Sequence, residues 1–258
     1  YNKLINKNKI KEIHSCTGYY FNDNFKIFCI LAKRRKVSLF AQDDGVDNYL
    51  NYFPTNKTPY QYKGLNQLRM VDFYCAWGKG KIYDGYNKVQ KKFDTKIFNT
   101  GSVYLNNLPK KNSNKEININ NFTIFYPSGP MRMFRASLEE VSPQKNFKHK
   151  IQILNFLKSM FKKYPGMKLI YKSFMGTDLK FDPITDILKN EIKSGRLKIY
   201  FDLPIKLMPH VDITLFDMIS TGFAEAININ TPAIVFDNKE MKNTISKKGL
   251  KVNHILEQ

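Results

Sequence analysis

The segment of this chain best equipped for chemistry is Asp217-Met218-Ile219-Ser220-Thr221-Gly222-Phe223-Ala224-Glu225. Ser220 and Thr221 carry the hydroxyls that cap a helix, and the unsatisfied N–H groups of a helix start can hold an anion. Gly222 permits close backbone approach. Glu225, read as part of the first turn, has two roles open to it. It can accept hydrogen bonds from sugar hydroxyls, or it can simply complement the helix macrodipole, an effect of about 0.3–1 kcal/mol.

Four further places carry reactive or charged groups. Pro127-Ser128-Gly129-Pro130-Met131-Arg132-Met133-Phe134-Arg135 joins a glycine turn to two guanidiniums three residues apart. Arg132 and Arg135 can share one helix face and hold a phosphate bidentately, or stand as a solvated pair. The pattern is not G-x-G-x-x-G, so a dinucleotide fingerprint is not supported. Lys172 offers a cation just after an expected strand, for phosphate contact or as ordinary surface. Gln42-Asp43-Asp44-Gly45 places two adjacent carboxylates after another, as a general base or as a polar turn. His210, after Pro209, reads as a helix-end residue, and the Pro-His pair with Ser-Thr ten residues later also resembles the phosphate-contacting elements of some bacterial sialyl- and Kdo-type transferases.

These groups count only if the fold gathers them, and in a parallel α/β sheet ligands collect at the carboxyl ends of the strands. The second half of the chain alternates regularly. Strands are expected at Phe122–Tyr126, Met167–Tyr171, Leu197–Tyr200, Val211–Leu215 and Pro232–Phe236. Helices are expected over Pro143–Lys163, Pro183–Lys193, Leu203–Met208, Ser220–Asn228 and Asn238–Lys248. In the first of these, Ile151, Leu154, Leu157 and Phe161 recur at helical spacing. Such alternation predicts right-handed crossovers and a Rossmann-like domain. The first half reads as strands at Glu12–Cys16, Phe25–Leu31, Val37–Gln42, Val71–Trp77 and Lys96–Phe98, with a helix over Tyr86–Lys92. Residues 46–66 read as a long loop whose aromatics, Tyr49 among them, either stack on a sugar or pack onto the domain. The polar stretch 109–121 has almost nothing to bury, which places a domain boundary between 1–115 and 116–258.

Composition narrows the class. Across 258 residues, 42% are hydrophobic and 14% aromatic, which excludes a disordered chain. Lys and Arg number 42 against 22 Asp and Glu, a net charge of +20 that favours anionic partners. The lysines are spread along the chain rather than clustered on one ribbon, so nucleic acid is the less favoured partner. Phosphorylated substrates and peripheral contact with an anionic membrane fit better. No apolar run approaches the roughly 18 residues of a membrane span, and no leader pattern is present. The expectation is a cytoplasmic protein, peripheral at most at the inner face of the membrane, whose numbering begins inside a longer chain. Cys16, Cys29 and Cys75 lack ligand spacing and read as reduced thilos of the interior, with no metal site.

The order of "TIFYPSGP", "MKLIYKSF" and "LKIYFDLPIKLMPHVDITLFDMISTGFAEAININTPAIVFDN" resembles the donor-binding half of GT-B glycosyltransferases. It is similar in particular to the transferases of bacterial surface and capsular carbohydrate synthesis. "FKIFCILAKRRKVSLFAQDDGVDNY", "VDFYCAWGKG" and "TKIFNTGSVYLNNL" resemble the segment order of that family's first half. The resemblance implies an α/β protein of two Rossmann-like halves, the N-terminal one cut short, with a cleft between them. It implies a nucleotide-activated sugar as substrate rather than cofactor, no obligatory metal, and a glycan or lipid-linked acceptor. Carried over residue by residue, donor and phosphate contacts fall to Arg132, Arg135, Lys172, Ser220, Thr221, Gly222 and Glu225, and acceptor-side contacts to Gly45 and Tyr49. Two departures stand out. The loop Gln42-Asp43-Asp44-Gly45 lacks the histidine such families carry, and Lys172 stands where they often have arginine. The base role then passes to Asp43 or Asp44, or is lost. Loss would leave a degenerate scaffold of polysaccharide assembly, and a basic nucleic-acid binder is the remaining alternative.

Overall fold

The computed structural model describes residues 2–7, 9–16, 18–43, 70–77, 94–111, 116–129, 143–174, 179–217 and 220–236. The expected helices over Tyr86–Lys92 and Asn238–Lys248 and the loop 46–66 lie outside them. The chain divides into two compact units, Tyr1–Val103 and Tyr104–Gln258.

The first unit holds four parallel strands, β1 (Glu12–Ser15), β2 (Ser38–Gln42), β3 (Phe73–Ala76) and β4 (Lys96–Asn99), side by side in that order. Phe25–Leu31, expected as a strand, is instead part of a helix, Asp23–Lys33. Asn22 explains the start, since its side chain accepts from Phe25 N–H and satisfies one of the helix's orphan donors. Burial explains the rest. Cys29 and Ala32 face the core at helical spacing while Ile27 and Ile30 are half exposed, a period that a strand would not give. One sheet face buries Ile13, Leu39, Ala41, Tyr74 and Ala76 with that helix. Along the four strands runs a ladder of rings, His14 on Phe40 (4.4 Å), Phe40 on Phe73 (4.6 Å) and Phe73 on Phe98 (6.2 Å). Cross-strand neighbours on one face account for it.

The second unit holds β5 (Thr123–Pro127), β6 (Lys168–Lys172), β7 (Leu197–Ile199), β8 (Ile213–Phe216) and β9 (Ala233–Val235). All are parallel, and their spatial order is β7-β6-β5-β8-β9. Within the unit this is third, second, first, fourth, fifth, the doubly wound arrangement of nucleotide-binding domains. The helix Pro143–Lys163 lays Ile153, Leu154, Leu157 and Phe161 on Ile124, Tyr126, Leu169 and Tyr171. Proline suits its first position, where no backbone donor is required. The expected helix Pro183–Lys193 is two short ones, Ile184–Ile187 and Lys189–Lys193. They part at Leu188, whose backbone leaves helical values (φ −112°, ψ 30°) while its side chain is fully buried.

Residues just beyond Val103 are tied to the second unit. Lys111 N–H donates to Ile229 O at 2.7 Å, Lys111 Nζ donates to Val211 O at 2.8 Å, and Asn228 Nδ2 donates to Leu105 O. Among the described residues no helix is long and apolar enough to cross a membrane.

Candidate functional site

Strand order reverses between β5 and β8, so the ligand crevice of this sheet type opens where those two strands end. β5 runs out into Ser128 and Gly129, β8 into Asp217. The two ends are fastened together. Gly129 N–H donates to Asp217 Oδ2 at 2.8 Å, and Tyr126 Oη donates to the same oxygen at 3.1 Å. Any side chain at position 129 would collide with that carboxylate, because a Cβ there would lie 2.7 Å from Asp217 Oδ1. Glycine is therefore required by a close approach, not by a turn conformation.

Beneath this fastening lies an ammonium. Lys150, from the middle of the Pro143–Lys163 helix, is 3% exposed, and Asp182 facing it at 4.0 Å is 1% exposed. Lys150 Nζ donates to Ser128 Oγ and, at 2.6 Å, to Tyr171 Oη, while Tyr171 Oη donates to Asp182 Oδ2. The rings of Tyr126 and Tyr171 flank the cation, with centroids at 4.9 and 4.7 Å. Ser128 in turn donates to Gly129 O at 3.0 Å, and Asp182 Oδ1 accepts from Ile184 N–H at 3.1 Å. Burial pulls the Lys150 ammonium below its ordinary value, while Asp182 and Asp217 oppose the shift. Burial pushes the phenols of Tyr126 and Tyr171 upward, reinforced by Asp217 and Asp182 respectively, so both remain donors at any physiological pH.

The expected anion-binding helix is Thr221–Ile229, with Ser220 at the N-cap position in extended backbone. Ser220 makes no side-chain capping bond, so the cap expected of it is not formed. The Ser220 carbonyl accepts from Phe223 N–H and Ala224 N–H. Gly222 brings the helix against Phe216, whose ring a Cβ would meet at 3.2 Å. The helix ends at Asn230, left-handed at φ 67°, a conformation asparagine tolerates well. Glu225 stands beyond the first turn, too far along to feel the N-terminal dipole strongly. Its carboxylate accepts from Tyr104 Oη at 2.7 Å. Burial raises the Glu225 carboxyl, partly offset by that bond, and burial followed by Glu225 pushes the Tyr104 phenol to about 12.

Lys172 ends β6 and donates to Phe201 O at 3.4 Å. His210 is exposed at the end of the short turn Met208–His210. Asp43, in the first unit, is buried; its carboxylate accepts from Tyr74 Oη and from Trp77 N–H at 2.8 Å. That carboxylate fastens the end of β2 to β3. Arg132, Arg135, Asp44, Gly45 and Tyr49 lie outside the described residues. The sequence reading did not single out Lys150, Asp182, Tyr126, Tyr171 or Asp217 as a set. One signal was present: Lys150 falls on the apolar stripe of Ile153, Leu154, Leu157 and Phe161, where a lysine is out of place unless paired.

Burial raises the Cys29 thiol to about 11. Among the described residues no group of three or more His, Cys, Asp or Glu is placed to hold a metal ion.

No family model matches the sequence, and no curated protein matches it. Solved structures do. S. aureus MnaA, solved with UDP, matches with a TM-score of 0.59 at 14% identity, over 97% of this chain and 63% of its own. Neisseria meningitidis UDP-GlcNAc 2-epimerase, bound to UDP-GlcNAc, matches with a TM-score of 0.57 at 12% identity, over 96% of this chain and 64% of its own. The fold is of the GT-B type. At these identities the likeness extends to two Rossmann-like halves and no further. The chain spans less than two thirds of either structure, 63% and 64%.

Proposed function

We propose that the second unit binds a nucleotide-activated sugar at the carboxyl ends of β5 and β8, and that the protein is a glycosyltransferase. In this reading it transfers the sugar to a surface-polysaccharide or lipid-linked glycan. The observation that carries the reading is the strand order β7-β6-β5-β8-β9, which sets the Ser128–Gly129 turn beside Asp217 at the point where sheets of this type take their ligands. Helix-start amides there would stabilise the leaving phosphate as the glycosidic bond breaks, with Arg132, Arg135 and Lys172 as further cations. Glu225 would accept from donor hydroxyls. Asp44 is the proposed base for the acceptor hydroxyl, beside the Asp43 that fastens β2. The basic charge suits an anionic donor and a peripheral approach to an anionic membrane.

A second reading is suggested by the Neisseria meningitidis structure, which is named as a UDP-GlcNAc 2-epimerase. One set of measurements separates the two. UDP-, CMP-, GDP- and dTDP-sugars are screened by thermal shift, and a bound donor near 100 times its Kd should raise Tm by about 5 °C or more. No shift with any of them would overturn the nucleotide-sugar reading. The bound sugar nucleotide is then incubated alone. Inversion at C2 without acceptor marks an epimerase, and nucleotide release that depends on added glycan marks a transferase.

Tyr104 supplies a further expected result. Its phenol occupies the Glu225 oxygen that a ligand hydroxyl would use. Tyr104→Phe should therefore tighten nucleotide-sugar binding about fivefold by calorimetry, the worth of one ordinary hydrogen bond of about 1 kcal/mol. Weakened binding would instead make Tyr104 part of the ligand's own contacts.

A further inference from the structure

We propose that Lys150 is a positioning residue of the donor site, setting through Ser128 the shape of the turn that walls the crevice. The inference rests on the nucleotide-sugar reading above and assigns a role which that reading leaves empty. The ammonium is nearly sealed from solvent, beneath the Ser128–Gly129 turn. Burying an ammonium is costly, and an apolar residue would pack on the same helix stripe without that cost.

What the charge does locally is visible in a relay. Lys150 Nζ donates to Ser128 Oγ, and Ser128 Oγ donates to Gly129 O at 3.0 Å. The relay commits the Gly129 carbonyl to a buried hydroxyl. Without it, a backbone acceptor is released at the mouth of a crevice that has to receive phosphate oxygens, and acceptor facing acceptor is repulsive. The other partners hold the relay rigid. Tyr171 and Asp182 fix the ammonium from the β6 side, and Asp217 fixes Gly129 N–H from the β8 side. Lys150 thus acts on the phosphate end of the ligand and leaves the base and ribose untouched.

The test compares two ligands that differ only in phosphate. UDP and uridine are titrated calorimetrically into the wild type, Lys150→Met, and Lys150→Met/Asp182→Asn. The double variant removes both charges, so neither is left buried alone. Expected are uridine affinities equal to wild type and UDP affinities about tenfold weaker in both variants, the scale of one charge-assisted hydrogen bond. If Lys150→Met alone fails to fold, the double variant carries the comparison. An unchanged ratio of UDP to uridine affinity overturns the positioning role, and so does failure of both variants to fold, which would assign the lysine to the core. Where the thermal-shift screen selects another nucleotide, that nucleotide and its nucleoside replace UDP and uridine, and a wild type that binds no member of any such pair overturns the nucleotide reading itself, a different result from an unchanged ratio.

Discussion

Asp182→Ala is expected to destabilise the protein by about 3–5 kcal/mol, the usual effect of leaving a buried charge without its partner. The carboxylate does three things at once. It faces the Lys150 ammonium at 4.0 Å, accepts from Tyr171 Oη, and accepts from Ile184 N–H at the start of a short helix. Alanine leaves the Lys150 ammonium without its buried counter-charge, and Tyr171 Oη and Ile184 N–H without their acceptor. Urea unfolding should show the loss as a lower midpoint at unchanged slope. A pH series adds a second signature. Lys150 holds its proton less tightly in the folded chain than in the unfolded one. Between that depressed value and the ordinary lysine value, the unfolded chain therefore carries the extra proton, and stability rises with pH. Removing Asp182 depresses the ammonium further, so the variant's deficit should shrink as pH climbs through that widened window. A deficit below about 1 kcal/mol, flat with pH, would mean that the pair does not hold the unit together.

Gly129→Ala should damage the crevice more selectively. The new methyl would be placed 2.7 Å from Asp217 Oδ1, on a carboxylate held by Gly129 N–H and Tyr126 Oη. A flexible side chain would swing aside, but this one is tied at both strand ends. Either the turn or the carboxylate has to move, at a cost of about 1–3 kcal/mol. The expected result is a UDP affinity reduced by tenfold to about a hundredfold, with β5–β8 pairing and most of Tm retained. Wild-type affinity in the alanine variant would remove the Ser128–Gly129 turn from the ligand's surroundings.

Much of the sheet architecture was legible because both sheets are parallel, and parallel strands read as short apolar runs bounded by turns. β2, β3, β5, β6 and β8 were expected within a residue or two of where they lie. Phe25–Leu31 misled for a physical reason. Its apolar content resembles a strand, and only Asn22 as cap and the spacing of Cys29 and Ala32 mark it as helical. The start of the helix after β8 was legible from Ser220, Thr221 and Gly222, yet what those residues do locally was not. Gly222 answers to the ring of Phe216, and Ser220 forms no cap. Lys150 was illegible for another reason. A chain with so many surface lysines hides a buried one, and its partners Ser128, Tyr171 and Asp182 come from segments that only tertiary structure brings together. Asp43 adds a role that its sequence setting did not suggest: the carboxylate, read as a base or as part of a polar turn, fastens β2 to β3.

The pairing of β5 with β8 has a consequence for how the protein comes to exist. Ile124 meets Ile213 and Phe125 meets Thr214 only after the intervening chain, with β6 and β7, has been threaded through its crossovers. Such pairings have high contact order, and their loop-closure entropy is spent before any contact repays it. The two sides of the crevice therefore meet only through the β5–β8 pairing, since the three-stranded sheet β7-β6-β5 contains the Lys150 side but not the Asp217 side. A nascent chain halted before β8 would carry the Lys150 side of the junction without its Asp217 fastening.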